Sequence, residues 1–167
     1  MKENKIGGQY STPIILPEQK VLKEWLDYNG HMNVAYYTLA FDKSLDIFLE
    51  DLLGIGETHA YENNQGPFVV QAHYHYLSEM KLNEKFNVRL FVVDCDKKKM
   101  HLCLEIFSQL QEKVIAVVEQ VIINVNLKLR KSEQYPPWAF EKLLKLKNTH
   151  KNATLPSSFG KSIGLKK

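Results

Sequence analysis

From Val34 onward the bulky residues Val34, Tyr37, Phe41, Leu45, Phe48 and Leu52 recur at steps of three and four, the spacing that aligns side chains on one face of an α-helix. The pattern predicts a helix of about twenty residues, roughly 30 Å long at ~1.5 Å per residue. Gly54 supplies the stop, Asn33 is the expected N-cap, and Gly30 gives the preceding turn freedom to take a positive φ. Around this helix the pattern has the two-residue period of strands. Lys20 to Trp25 reads as a first strand, after a short extended piece bracketed by Pro13 and Pro17. Phe68 to Met80 sets Phe68, Val70, Ala72, Tyr74 and Tyr76 against Val69, Gln71, His73, His75 and Leu77. Phe86 to Val93 and Met100 to Phe107 alternate on either side of DCDKKK and predict a hairpin, and Val114 to Leu129 predicts a long strand. The polar stretch GIGETHAYENNQGP reads as a loop over the helix end with one short helical turn. Pro136-Pro137 ends the sheet, Trp138 to Lys147 is helical again, and LPSSFGKSIGLKK is a turn-rich tail. One long helix placed early and followed by consecutive antiparallel strands predicts an α+β domain whose sheet wraps the helix.

Composition narrows the class. The 167 residues fit a single domain over 1–167, with a core at about 20–147 and tails at both ends, Met1 to Thr12 being a frayed start with Gly7 and Gly8. At 44% hydrophobic and 25% charged the chain is an ordinary soluble globular protein. A net charge of +3, with Lys and Arg interspersed among acids, argues against nucleic acid and suits a nucleotide phosphate better. Two cysteines, Cys95 and Cys103, make no disulfide framework and read as packing residues. MKENKIGGQY lacks the apolar core of a signal peptide and no run reaches the length of a membrane span, so a reduced, cytoplasmic setting without membrane contact is expected. His73 and His75 share a strand face, but the spacings that would complete a metal site are missing, and no metal is expected. His59 and Tyr61 read as solvent-facing loop residues.

Three groups of residues carry candidate chemistry. Asp27 stands just before the helix start, where unbonded N–H groups and the positive end of the helix dipole gather. A carboxylate there can act on an electrophile whose oxyanion those N–H groups hold; alternatively, Asp27 and Asn33 are only capping and turn residues. Lys97, Lys98 and Lys99 are either a solvated turn that discourages edge pairing or a cationic grip on phosphates. Glu119 shares the parity of Val117, Val121, Ile123 and Val125. A carboxylate on an apolar face needs a partner or a site, so it marks a pocket or interface unless a twist or bulge exposes it.

The run Trp25, Asp27, Gly30, His31, Asn33, Tyr36 resembles the signature of hotdog-fold acyl-CoA thioesterases of the 4-hydroxybenzoyl-CoA thioesterase type. HYHYLSEM, DCDKKKMH and VVEQVIINVN resemble the subgroup associated with betainyl-CoA thioesterases of carnitine breakdown, and the likeness runs from about Lys20 to Gly164. The resemblance implies a hotdog fold and hydrolysis of an acyl-CoA, with coenzyme A as part of the substrate and no separate cofactor. It implies Asp27 as the catalytic carboxylate, nucleophile or general base, and backbone N–H groups near Val34 as the oxyanion hole. His31 and Asn33 would shape the turn and orient substrate or water. For a trimethylammonium acyl end, aromatic faces are the natural partners, which makes Trp25, Tyr28, Tyr36, Phe68, Tyr76 and Trp138 candidates beside Gly30. Lys97, Lys98 and Lys99 would meet the phosphates, and Glu79, closing its strand, stands at a family position of unassigned role. A homodimer or homotetramer with sites between subunits is also implied. Two other readings stay open: a non-catalytic thioester- or lipid-binding module, which need not keep Asp27, Gly30, His31 and Asn33, and a hotdog hydratase. The hydratase would act through a His and an acid on the helix, which here carries Asp42 and Asp46 but no His after His31.

Overall fold

The computed structural model describes residues 11–165, so most of the expected frayed start, with Gly7 and Gly8, lies outside it. The chain runs β1 (Ile14–Ile15), β2 (Gln19–Lys20), α1 (Val34–Ile47), α2 (Glu57–Asn63), β3 (Gln65–Tyr76), β4 (Lys85–Cys95), β5 (Lys99–Ser108), β6 (Lys113–Asn126), β7 (Lys131–Ser132) and α3 (Pro137–His150). One antiparallel sheet has the order β1-β4-β5-β6-β3, with β2 also beside β4 and β7 beside β6. A long helix along one face of such a sheet is the hotdog arrangement.

The stripe of α1 decides which face is covered. Tyr37, Ala40, Phe41 and Leu45 are buried together with Val88 and Leu90 of β4, Leu102 and Leu104 of β5, and Val118 and Ile122 of β6. The helical path continues beyond α1 through a wider π-helical turn, Phe48–Leu53. Its extra residue per turn lets Phe48, Leu49, Leu52 and Leu53 all reach the core. Gly54, at φ 75°, then ends it as expected. Val34 departs from the predicted stripe: it is 56% exposed, because the first turn of the helix projects past the packed core.

Three local expectations are corrected. Strand pairing ends at Lys20, and Lys23–Trp25 is a 3-10 helical turn. The chain has to turn there to bury Trp25 and stack it on Tyr36 of α1, ring centroids 5.6 Å apart. The loop after Gly54 holds a seven-residue helix, α2, closed by Asn64 in the left-handed conformation at φ 53°. In β3, Val69 pairs with Ile122 but Gln71 pairs with Val121, so Val70 is a bulge residue. The bulge swaps faces. Phe68, opposite Ile123, shares the face of His73, opposite Glu119, while Tyr74 and Tyr76 lie on the face that holds α1.

The other face carries a smaller cluster, Phe91, Cys103 and Val117, packed under Ala153, Leu155 and Phe159 of the tail. Glu119 lies here, opposite Cys103, and no bulge exposes it. It accepts the Gly160 N–H and pairs with His101 Nε2 at 3.4 Å. Burial pushes the Cys103 thiol up to about 12, in keeping with a packing role. Among the described residues no group of three His, Cys, Asp or Glu could hold a metal ion, and no helix is long and apolar enough to cross a membrane.

His150 ties α3 to the sheet. Its Nδ1 accepts the Val92 N–H at 2.8 Å, beside the β4 irregularity, and its Nε2 lies 2.9 Å from the Ser11 carbonyl, which can only accept. Both contacts are met by the neutral ring with its proton on Nε2, and burial lowers the His150 pKa. The folded state therefore binds this proton less readily than the unfolded chain. The contribution of His150 is intact above the ordinary histidine range near 6.5 and is lost as pH falls below it. Urea midpoints should thus drop between pH 7.5 and 5.5, and His150→Gln should shrink that drop; an unchanged drop would place the pH dependence elsewhere.

Candidate active site

A short closed turn places a carboxylate beside the tip of α1. The Asp27 N–H donates to the His31 carbonyl, Gly30 N–H to the Asp27 carbonyl, and Asn33 N–H to the Trp25 carbonyl, at 2.9–3.0 Å. Leu26 and Met32 form a bridge across it. The reversal needs a left-handed residue, and Gly30 supplies it at φ 76°. Asp27 Oδ1 accepts the Asn29 N–H at 2.8 Å and lies 3.9 Å from His31 Nδ1, and the side chain is only 14% exposed. A carboxylate tied to its own turn in this way has little freedom to swing.

Asn33 caps the helix as expected. Its side chain accepts the Ala35 N–H at 3.0 Å and its carbonyl takes the Tyr36 N–H. Val34 is the first helical residue, so its N–H has no acceptor within the helix, and it lies at the exposed tip. Two longer-range bonds join this tip to the loop that follows β3. Met32 N–H donates to the Met80 carbonyl at 2.8 Å, and the Tyr37 hydroxyl donates to the Ser78 carbonyl at 3.4 Å.

Between tip and loop lies a cavity of about 380 Å³ lined by His31, Met32, Val34, Tyr37, Tyr76, Leu77, Ser78 and Glu79. Tyr37 and Tyr76 meet edge to face, centroids 5.3 Å apart at 74°. Burial pushes the Tyr37 hydroxyl up to about 12 and raises that of Tyr76 as well. Both stay neutral donors. Asp27 is on the turn at the cavity's edge rather than in its lining. A helix-tip N–H without an intrahelical acceptor, a held carboxylate and an apolar recess are parts that acyl transfer can use: a donor for the oxyanion, an acid–base or nucleophilic group, and a seat for the acyl chain.

The other sequence-derived candidates fall in several places. Asp27, Gly30, His31, Asn33, Val34 and Tyr76 come together here. Trp25 is buried and stacked on Tyr36, with the Lys43 ammonium 5.5 Å away, so the pair braces the turn from behind. Tyr28 is 97% exposed at the turn's apex. Phe68 is carried to the opposite sheet face by the Val70 bulge. Trp138 rests against His59 and Gly54 at the far end of the helical rod. Lys97, Lys98 and Lys99 lie at the β4–β5 turn, where Asp96 Oδ1 accepts the Lys98 and Lys99 N–H groups. Lys99 pairs with Ile123 whereas Tyr76 pairs with Ala116, so the lysine turn is about 23 Å along the sheet at ~3.3 Å per residue. Tyr37 and Ser78 were not among the candidates. Tyr37 reads as one more stripe residue, and Ser78 enters only because the loop after β3 folds back on α1.

The sequence model of the thioesterase-like superfamily matches residues 21–143, a span that holds the turn, α1 and most of the sheet. The chain belongs to the thioesterase-like superfamily. Among curated relatives, a Rhizobium meliloti L-carnitine dehydrogenase/betainyl-CoA thioesterase is 31% identical over 94% of this chain. The chain spans only 31% of that longer protein. A Pseudomonas aeruginosa betainyl-CoA thioesterase is 26% identical, with 89% of this chain and 92% of the relative covered. Among solved structures, a Staphylococcus aureus protein in complex with CoA superposes with a TM-score of 0.85, covering 92% of this chain and 96% of that one at 24% identity. That likeness shows the fold.

Proposed function

We propose that this chain hydrolyses the thioester bond of a short-chain acyl-CoA. The observation that carries the reading is the closed turn that fixes the Asp27 carboxylate, bonded to the Asn29 N–H, in the segment leading directly into α1, whose first N–H, that of Val34, has no acceptor within the helix. A thioester carbonyl oxygen accepting that N–H would place its carbon in front of Asp27. Two routes then lead to products. In one, a carboxylate oxygen of Asp27 bonds to the carbonyl carbon, the C–S bond breaks, coenzyme A leaves as a thiolate that takes up a proton, and water cleaves the anhydride to restore the carboxylate. In the other, Asp27 takes a proton from water as the water attacks, and the same C–S bond breaks. In both, negative charge grows on the carbonyl oxygen, where the helix N-terminus favours it. The acyl group proposed is betainyl, supported by the activity named for the two curated relatives.

A second copy of the chain belongs to this reading. β3 is an edge strand with Phe68, Val69, Val70 and Tyr76 each more than 40% exposed, an apolar edge that a soluble protein seldom leaves open. Pairing two β3 strands antiparallel about a two-fold axis would continue the sheet and close the side of the cavity where Tyr76 and Leu77 stand.

Light scattering should therefore give at least twice the 19.4 kDa mass of one chain, and a monomer would contradict the shared edge. Asp27→Asn keeps size and turn bonding but can neither attack nor take a proton, so thiol release from the best acyl-CoA should fall by about 10²–10⁴-fold with the melting temperature little changed. Turnover within a few-fold of the parent would reduce Asp27 to a turn residue.

A further inference from the structure

We propose that the corner formed by Tyr37, Tyr76 and Glu79 selects acyl groups that end in a positive charge. The inference rests on the reading that the thioester is seated at Val34, and it adds the residues that would discriminate among acyl ends. Tyr37 and Tyr76 stand nearly at right angles, 74° with centroids 5.3 Å apart, and both line the cavity beside Val34. An aromatic ring carries partial negative charge on its face, so a cation within about 6 Å of the centroid is attracted where a neutral group of the same shape gains only contact. Glu79 adds a formal negative charge to the same cavity, and no Lys or Arg is among its lining residues. Lys81 lies 3.3 Å from Glu79, but both side chains are more than half exposed, so water screens the pair and leaves the carboxylate available. A quaternary ammonium has no N–H to donate, so ring faces and a solvent-screened carboxylate are the groups suited to it, and a primary ammonium would bind there too.

The corner is held in place by backbone and buried groups. The Tyr37 hydroxyl is spent on the Ser78 carbonyl, which fixes the ring, and Tyr74 stacks behind Tyr76 with centroids 6.1 Å apart at 5°. Gln111 Nε2 donates to the Glu79 carbonyl at 2.9 Å and to the buried Glu84 at 2.7 Å, so the segment that presents Glu79 is anchored from below. A prearranged site loses less on ordering its walls around a ligand.

The test uses two ketone analogues of acyl-CoA in which a methylene replaces the thioester sulfur, one with a trimethylammonium end and one with the neutral tert-butyl end of the same shape. Calorimetry should show the cationic analogue binding about tenfold tighter or more to the parent protein. Tyr76→Leu and Glu79→Gln should each cut that ratio at least about threefold, while Tyr76→Phe, which keeps the ring, should retain it. Glu79 is exposed enough that its variant tests the idea even if Tyr76→Leu fails to fold. Asp46→Asn, which removes one negative charge from the cavity at the other end of α1, should leave the ratio alone. A parent ratio near one, or a ratio unmoved by both corner variants or lowered by Asp46→Asn, would overturn the proposal. A ratio that behaves as stated in a protein releasing no thiol from any acyl-CoA would instead overturn the hydrolytic reading and leave the corner standing.

Discussion

The structure depends on one constraint: α1 buries its body against the sheet yet must leave its N-terminal tip uncovered. Phe41 and Phe48 are fully buried while Val34, about two and four turns before them in the same stripe, is exposed. The packed length fixes the direction in which the tip points, and the tip presents an N–H without a partner inside the helix. Buried, that group would cost about 1–3 kcal/mol. At an exposed rim it is available to a ligand instead. Everything proposed about chemistry follows from what the fold gathers around that rim.

Two separate chain segments, the turn leading into α1 and the loop after β3, meet there, held by backbone bonds. The turn 27–31 is closed on itself, Asn33 is bonded back to Trp25, and Met32 is bonded across to Met80. A carboxylate placed by such a frame needs no long side chain to reach its target, which fits the choice of Asp over Glu. The half charge of a helix N-terminus is modest, but in the proposed reaction it would act over a short distance on a group that becomes an anion only as the reaction proceeds. In the proposed reading the aromatic walls would serve the acyl group and not the reacting bond, which separates the problem of rate from that of specificity.

Much of this was legible in the sequence, and the exceptions have physical causes. The α1 stripe, its cap at Asn33 and its stop at Gly54 are local features, and they were readable because helix periodicity and capping act within a few residues. The hairpin around Asp96 was readable for the same reason, as was the long strand from Val114, although it ends at Asn126 and not at the expected Leu129. The 3-10 turn at Lys23–Trp25 was not, because an alternating segment turns there only to bury Trp25 against Tyr36, a partner eleven residues away. The bulge at Val70 leaves no mark in composition, yet it reverses the face of Phe68 and removes it from the Tyr76 side. Glu119 stands on the apolar face its parity indicated, but its partners come from β5 and from the tail, which no spacing rule connects to it. Of the candidate site, Asp27, His31 and Val34 were nominated by one motif, while the wall of Tyr37, Ser78 and Glu79 depends on a loop bonded across to α1.

The central claim, that Val34 and Asp27 share one thioester, is tested most directly by a crystal structure of the protein with the trimethylammonium ketone analogue bound. The account predicts the analogue's carbonyl oxygen at about 3 Å from the Val34 nitrogen and an Asp27 carboxylate oxygen about 3–3.5 Å from the carbonyl carbon, directly or through one ordered water. A carbonyl seated away from the α1 tip, with Asp27 still folded onto Asn29 and out of reach of the reacting carbon, would contradict it.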